Sequence, residues 1–241
     1  HKYLGQKIQS LGYYQRSAQL RKKYGSQSDY ATSLYGIGNY FYELGEFRKC
    51  ESYYVQALQV FEAVRDSSRL ADMYFNMGNL SIVKNELDKS LEYYEKSTLF
   101  YSKLGDQYMF PRIWSTIGRN FYERGDMRKA KSYFLKAEKG FQDFEDKLSR
   151  CQNLALLCRV DISGGQYKSA LVYAKRMREM AEEIGAIRHI IDSYGLLSSI
   201  YSRQGLFGEA YASSKKQRVY SDSLYSIEKE KTVRELTIKY E

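Results

Sequence analysis

The chain is 241 residues long, contains one proline and is 43% hydrophobic, a composition typical of a folded helical protein without low-complexity linkers. No stretch approaches the roughly 18 consecutive apolar residues of a membrane-spanning helix, so we expect no membrane-spanning helix in this sequence. The formal net charge is +9, and residues 1–28 hold six basic side chains and no acidic one. Because no nucleic-acid-binding motif accompanies these charges, we interpret them as a solvated helix face and expect no nucleic acid partner. The chain opens on His1, without an initiator methionine or a signal peptide, so we expect a segment of a longer protein.

A repeat with a period of 40 residues organises the sequence. One column of this repeat consists of four glycines and an asparagine, Gly45, Asn85, Gly125, Gly165 and Gly205. On both sides of the column, apolar residues recur at spacings of three and four, which is the pattern of an amphipathic helix. The column therefore falls where one helix ends and the chain reverses, a position that needs a positive φ and favours glycine, then asparagine. Each repeat is predicted to be a helical hairpin.

Two further columns contain only small residues. The first helix of each hairpin carries Gly38, Gly78, Gly118, Cys158 and Ser198, and the second carries Cys50, Ser90, Ala130, Ala170 and Ala210. A glycine inside a helix costs about 1 kcal/mol relative to alanine, so its presence needs a packing reason. We expect the paired helices to approach each other closely at these columns.

The columns resemble the tetratricopeptide repeat family. The repeat at 107–146 meets the family pattern at Trp114, Ile117, Gly118, Phe121, Gly125, Ala130, Phe134 and Ala137. The period is longer than in the commonest form of the family, and the family's closing proline is absent. The resemblance implies an all-α, right-handed superhelical solenoid of about eleven helices. We expect a partial repeat at 1–26 with the second helix only, full repeats at 27–66, 67–106, 107–146, 147–186 and 187–223, and a C-terminal helical extension or linker at 224–241.

The end of the chain, YSDSLYSIEKEKTVRELTIKYE, is compatible with one long helix. Its apolar positions form a thin stripe suited to a connecting or dimerising helix: Leu224, Ile227, Val233, Leu236 and Tyr240. This ending resembles the junction in bacterial membrane-anchored signalling proteins at which a tetratricopeptide sensor region leads to a histidine kinase or a transcriptional regulator. That resemblance implies a sensing function and a location on the periplasmic face of the inner membrane. If the resemblance does not hold, we expect the protein to lie in the cytoplasm.

No residue pattern indicates catalysis or a cofactor. His189 is the only histidine after the first residue, so a nucleophile would have a single candidate base, and no local pattern supports one. Cys151 and Cys158 are separated by about 10 Å on one predicted helix, which is beyond disulfide reach. With Cys50 they match no zinc-binding spacing and are interpreted as buried thiols. We expect neither enzymatic activity nor a bound metal or cofactor.

The family resemblance implies that the first helix of each repeat lines a groove. The column that would face it contains Asn39, Asn79, Arg119 and Arg159, and Arg112 lies on the same face. Family members use such asparagines to hold extended peptides, and arginines would add fork-shaped donors for an anionic ligand or a peptide C-terminus. Tyr35, Tyr42, Phe75 and Tyr122 would add aromatic contacts, whereas Tyr54 and Tyr94 are interpreted as packing residues. The alternative is an assembly scaffold that dimerises through its terminal helices without a groove ligand.

Overall fold

A computed structural model describes the backbone of residues 2–240 and the side chains of residues 11–235 and 237. Its regular secondary structure is entirely α-helical over residues 2–240, which confirms the all-α prediction and the expected number of helices. The eleven helices of this range are α1 (Lys2–Tyr24), α2 (Gln27–Glu43), α3 (Phe47–Ala63), α4 (Ser67–Val83), α5 (Leu87–Lys103), α6 (Phe110–Glu123), α7 (Met127–Asp143), α8 (Lys147–Ser163), α9 (Tyr167–Glu183), α10 (Ile187–Arg203) and α11 (Phe207–Tyr240).

The helices form two compact units. The N-terminal unit, His1–Met109, contains α1 packed against α2 and then the hairpins α2/α3 and α4/α5. The C-terminal unit, Phe110–Glu241, contains the hairpins α6/α7, α8/α9 and α10/α11. In both units, consecutive antiparallel helices bury a stripe of apolar side chains against each other, which is the packing expected of stacked helical hairpins.

The turns inside the hairpins have the predicted backbone conformation. Gly45 has φ of 74° and Asn85 has φ of 64°, and φ is also positive at the remaining glycines of the column. The turns between hairpins adopt the same left-handed conformation, at Gly105 and Gly185 and also at two residues that are not glycine. Arg65 has φ of 56° and Glu145 has φ of 55°. With Asn85, three helix ends therefore hold a non-glycine residue in a region that costs roughly 1–2 kcal/mol.

Helix α6 begins three residues later than the repeat predicts. Its counterparts begin at Gln27, Ser67, Lys147 and Ile187, whereas α6 begins at Phe110 rather than at 107. A helix from 107 would place Pro111 at its fifth position, where proline lacks the N–H for a hydrogen bond to the fourth preceding carbonyl. Starting at Phe110 moves Pro111 into the first turn, where no such bond is required.

The small columns allow a close approach between paired helices, as predicted. A Cβ atom on Gly38 would lie 2.5 Å from Cδ1 of Tyr54 and 3.5 Å from the carbonyl oxygen of Cys50. Gly78 meets the ring of Tyr94 in the same way, at 2.6 Å. The glycine thus makes room for an aromatic ring of the second helix, a partner that the sequence reading did not identify.

The C-terminal unit shows that this packing depends on pairs of residues. In α6/α7 a Cβ on Gly118 would lie 2.7 Å from the ring of Phe134. In α8/α9 the ring is replaced by Ala174, and Cys158 fills the space, with its sulfur 3.4 Å from the carbonyl oxygen of Ala170. The larger first-helix residue therefore occurs where the second-helix residue is small.

A buried ion pair joins α7 to α8. Nε and Nη2 of Arg150 donate to Oε1 of Glu138 at 3.0 and 2.9 Å, and both side chains are only 10% exposed. Two repeats earlier, the same positions hold Leu58 and Leu70, which belong to the apolar core between α3 and α4. An apolar pair and an ion pair thus occupy equivalent sites in one chain.

The three cysteines are buried free thiols, as predicted. Burial raises the pKa of Cys50 and Cys151 to about 11. It raises the pKa of Cys158, the most desolvated of the three, to about 12. These thiols are therefore protonated at neutral pH, and none has the features of a reactive cysteine.

Helix α11 continues without a break for 34 residues. Tyr220 stacks on Tyr194 of α10 at 5.8 Å between ring centroids, and Arg188 of α10 pairs with Glu228 at 2.5 Å. Of the predicted apolar stripe, Leu224 is partly buried, whereas Ile227 and Val233 are exposed. The side chains of Leu236 and Tyr240 lie outside the described ones. Within the part of the chain that the structure describes, no helix has the length and apolar character needed to cross a bilayer.

Candidate ligand-binding face

In the N-terminal unit, the predicted site residues lie on one face of α2 and the matching face of α4. Tyr35, Asn39 and Tyr42 follow each other at spacings of four and three along α2, so they share a face. Phase-equivalent positions of α4 hold Phe75 and Asn79. All five are partly exposed. We call this set of residues the asparagine face.

The two helices of the asparagine face are joined by a hydrogen bond. Nδ2 of Asn76 in α4 donates to the hydroxyl oxygen of Tyr35 in α2 at 3.0 Å. Tyr35 also packs its ring against Tyr54, with 5.7 Å between centroids, and Phe75 packs against Tyr94 at 5.9 Å. Tyr35 and Phe75 therefore support the hairpins and also present part of their surface to solvent.

Each asparagine of the face accepts a hydrogen bond from a buried tyrosine. The hydroxyl of Tyr54 donates to Oδ1 of Asn39 at 2.5 Å, and the hydroxyl of Tyr94 donates to Oδ1 of Asn79 at 2.7 Å. The sequence reading assigned Tyr54 and Tyr94 to packing and missed these bonds. The available signal was the recurrence of an Asn and a Tyr 15 residues apart in two successive repeats.

Burial determines the chemistry of these tyrosines. Tyr54 is 2% exposed and Tyr94 is 1% exposed. Desolvation raises the pKa of the Tyr54 hydroxyl far above its ordinary value, so the phenol remains protonated and able to donate. Tyr42, at the edge of the face, packs edge-on against Phe47 at 5.7 Å, and burial raises its pKa as well.

In the C-terminal unit, the predicted site residues are mainly cationic. Arg112 and Arg119 lie seven residues apart on α6 and share a face with the partly exposed Tyr122. On α8, Arg159 occupies the position equivalent to Arg119. All three arginines are exposed. None of their guanidinium groups forms an ion pair or a hydrogen bond with a side chain or carbonyl of the described residues. We call this set of residues the arginine face.

Helices α6 and α8 are also joined directly. The hydroxyl of Ser115 and Oδ1 of Asn153 lie 3.2 Å apart, and Nδ2 of Asn153 donates to the carbonyl oxygen of Phe134 at 2.8 Å. Asn153 is fully buried, so this network fixes the spacing of the two helices that carry the arginines. The arginine face is thus presented by a rigid pair of helices.

The described residues contain no group of three or more His, Cys, Asp and Glu side chains arranged to hold a metal ion. His189 lies partly exposed in the first turn of α10, and its imidazole makes no hydrogen bond with a described residue.

Comparison with known proteins matches one segment of the chain to a family model and most of the chain to solved structures. Residues 71–103, which span most of α4 and all of α5, match the family model described as tetratricopeptide repeat. Comparison with curated protein sequences gives no significant match. The protein has the tetratricopeptide repeat fold.

Similar solved structures cover nearly the whole chain. BtubC (BKLC) from P. vanneervenii has a TM-score of 0.78 at 17% identity, over 91% of this chain and 92% of that chain. A signal transduction ATPase with a tetratricopeptide repeat sensor from Pyrococcus horikoshii has a TM-score of 0.70 at 14% identity, over 95% of this chain and 35% of the ATPase. The Rap conjugation gene regulator of plasmid pLS20, in complex with the Phr* peptide, has a TM-score of 0.62 at 15% identity, over 93% of this chain and 72% of the regulator.

Proposed function

We propose that this protein is a non-catalytic scaffold that binds a peptide or protein segment on the first-helix faces of its hairpins. The observation that carries the proposal is that each unit presents side-chain donors on its first helices: partly exposed asparagine amides in the N-terminal unit, and exposed arginines in the C-terminal unit. Extended peptides have unpaired main-chain carbonyl oxygens, which such donors can satisfy.

The chemistry of the arginine face favours an anionic segment or a C-terminal carboxylate. A guanidinium group offers two parallel N–H donors, which match the two oxygens of a carboxylate. Because Arg112, Arg119 and Arg159 have no acidic partner among the described residues, they can engage an external anion without first breaking an internal ion pair. Tyr122 adds a rigid aromatic surface beside them.

The wider role that we propose is sensing within a larger bacterial signalling protein. Two structural relatives support this direction: one is a gene regulator in complex with a peptide, and the other is a sensor-containing signalling ATPase. In this proposal the ligand binds the hairpins, and α11 connects them to the output.

The proposal is tested with a peptide array synthesised in two forms, one with free C-terminal carboxylates and one with amidated C-termini. The protein is compared with an Asn39→Ala, Asn79→Ala variant and with an Arg119→Gln, Arg159→Gln variant. We expect both variants to lose at least tenfold in affinity, and only the arginine variant to lose the preference for free carboxylates.

A matched control removes two exposed charges from second helices instead, through Lys139→Gln and Arg176→Gln. Circular dichroism verifies the helical content of every variant. Equal binding by the asparagine, arginine and control variants would refute the proposed site.

One observation favours the assembly alternative. Helix α11 exposes four apolar side chains that a second copy of the chain could cover, namely Val219, Tyr225, Ile227 and Val233. Analytical ultracentrifugation of the protein and of a Tyr225→Ser, Ile227→Ser variant distinguishes the two functions. A dimer that dissociates in the variant, combined with an array to which no peptide binds, would favour assembly over peptide recognition.

A further inference from the structure

The five hairpins provide an internal comparison between two structural columns. The second-helix column, whose aromatic rings pack against the first-helix glycines, contains Tyr54, Tyr94, Phe134, Ala174 and Ser214. The first-helix column contains Asn39, Asn79, Arg119, Arg159 and Ser199. Asparagine therefore occurs where the second helix supplies a phenol, and arginine occurs where the second helix has Phe134 or Ala174.

The hydrogen bonds explain this association. A side-chain amide has one acceptor oxygen and two N–H donors, and a free amide can rotate to present either to a ligand. In Asn39 and Asn79 the oxygen already accepts from a buried tyrosine at 2.5 and 2.7 Å. A flip of either amide would turn its N–H donors toward the phenol, which would then have to accept, and the phenol proton would lose the amide oxygen as its acceptor. No described residue accepts a hydrogen bond from Nδ2 of Asn39 or Asn79, so those donors remain available.

Arginine needs no such partner. Its guanidinium group has five N–H donors and no acceptor, so its hydrogen-bonding character is the same in every rotamer. A first-helix residue that faces Phe134 or Ala174 has no phenol to fix its orientation, and Arg119 and Arg159 occupy these positions. Both faces therefore present oriented N–H donors, although they achieve this with different residues.

We propose that Tyr54 and Tyr94 are positioning residues that hold the side-chain N–H groups of Asn39 and Asn79 toward a ligand, so that the first-helix faces select segments that present acceptors. This inference rests on the proposed peptide-binding function and specifies its chemistry. The main-chain carbonyl oxygens of an extended segment are matched to the asparagine face, and a carboxylate is matched to the arginine face.

The experiment compares a Tyr54→Phe, Tyr94→Phe variant with a Tyr53→Phe, Tyr93→Phe control. Both variants lose two hydroxyl groups from α3 and α5, but the rings of Tyr53 and Tyr93 stack on Phe41 and Tyr74 and do not face the asparagines. The first readout needs no ligand. NMR records the side-chain amide resonances of Asn39 and Asn79, which we expect to shift in the first variant and to remain unchanged in the control.

The second readout is the affinity for array peptides that bind the parent protein, measured with each peptide and with a version in which one main-chain amide is replaced by an ester. An ester carbonyl is a weaker acceptor than an amide carbonyl. We expect Tyr54→Phe, Tyr94→Phe to weaken peptide binding at least fivefold and to reduce the discrimination against the ester. We also expect Asn39→Asp to lose as much affinity as Asn39→Ala, because the aspartate retains an acceptor for Tyr54 but lacks the donors.

The outcomes separate the two levels of the proposal. Unchanged asparagine resonances in Tyr54→Phe, Tyr94→Phe would overturn the positioning role, whatever happens to binding. Shifted resonances with unchanged peptide affinity would overturn donor selection while leaving the binding face intact. If the Asn39→Ala, Asn79→Ala variant binds as well as the parent, the asparagine face does not bind the peptide, and donor selection fails even if the resonances show that the tyrosines orient the amides. If the Arg119→Gln, Arg159→Gln variant also binds as well as the parent, the binding function itself fails.

Discussion

Gly118→Ala provides a direct test of how closely the hairpin helices pack. The added Cβ would lie 2.7 Å from Cδ1 and 2.8 Å from Cε1 of Phe134, and 3.2 Å from the carbonyl oxygen of Ala130. Because the ring of Phe134 is fully buried and the carbonyl belongs to the backbone of α7, neither can move without disturbing other contacts. The helices must therefore separate slightly, or the ring must leave its preferred rotamer.

The expected magnitude follows from two opposing effects. Replacing a helical glycine with alanine stabilises the helix by about 1 kcal/mol, whereas overpacking a filled core costs about 1–3 kcal/mol. Because this contact involves both a ring and a backbone atom, we expect a net loss of about 1–2 kcal/mol, measured from urea unfolding. Gly12→Ala is the control, since its Cβ would meet no described heavy atom within 4 Å, and it should gain up to about 1 kcal/mol. If Gly118→Ala is stabilised as much as Gly12→Ala, the packing argument is wrong.

Two further predictions concern buried polar groups. Arg150→Leu should lower the free energy of unfolding by about 3 kcal/mol, because Glu138 is left as a buried unpaired charge. Adding Glu138→Leu should restore most of the loss, and a double variant as unstable as the single one would contradict this. The three thiols should react with a thiol reagent at pH 8 no faster than the protein unfolds, since burial raises their pKa values to about 11 for Cys50 and Cys151 and about 12 for Cys158. Between pH 9 and pH 11 the unfolded chain releases protons that the folded chain retains, so the urea midpoint should fall as pH rises, and a flat midpoint would refute the effect of burial.

The hairpin architecture could be predicted because its signals are local and recur at a fixed spacing. A positive φ at Gly45 and a ring packed on Gly38 are steric requirements that act on single positions, so they appear directly as residue types in a column. In the column of the turns between hairpins, residue type marks the turns at Gly105 and Gly185 but not those at Arg65 and Glu145. Their left-handed conformation is imposed by the packing of the helices on either side, which outweighs the preference of the residue itself.

The sequence prediction of the candidate site depended on the family resemblance and left out part of its chemistry. The resemblance selected the column of Asn39 and Asn79, and both side chains are partly exposed. The bonds from Tyr54 and Tyr94 were missed because a periodicity analysis treats tyrosine as an apolar residue and ignores its hydroxyl group. The hydroxyl is the polar end of a side chain whose ring is buried, and its partner becomes visible only when two helices are placed side by side.

The third, fourth and fifth hairpins fill the small-residue packing position in different ways. At the first packing position, Gly118 pairs with Phe134, Cys158 pairs with Ala174, and the hydroxyl of Ser198 donates to the carbonyl oxygen of Ala210 at 2.9 Å. The first-helix residue is larger where the second-helix residue is smaller, so a change in one partner is partly offset by the other. A family pattern describes each column separately, so such an exchange counts as two departures from it. The helical hairpin can therefore persist where the similarity to the family pattern is weak.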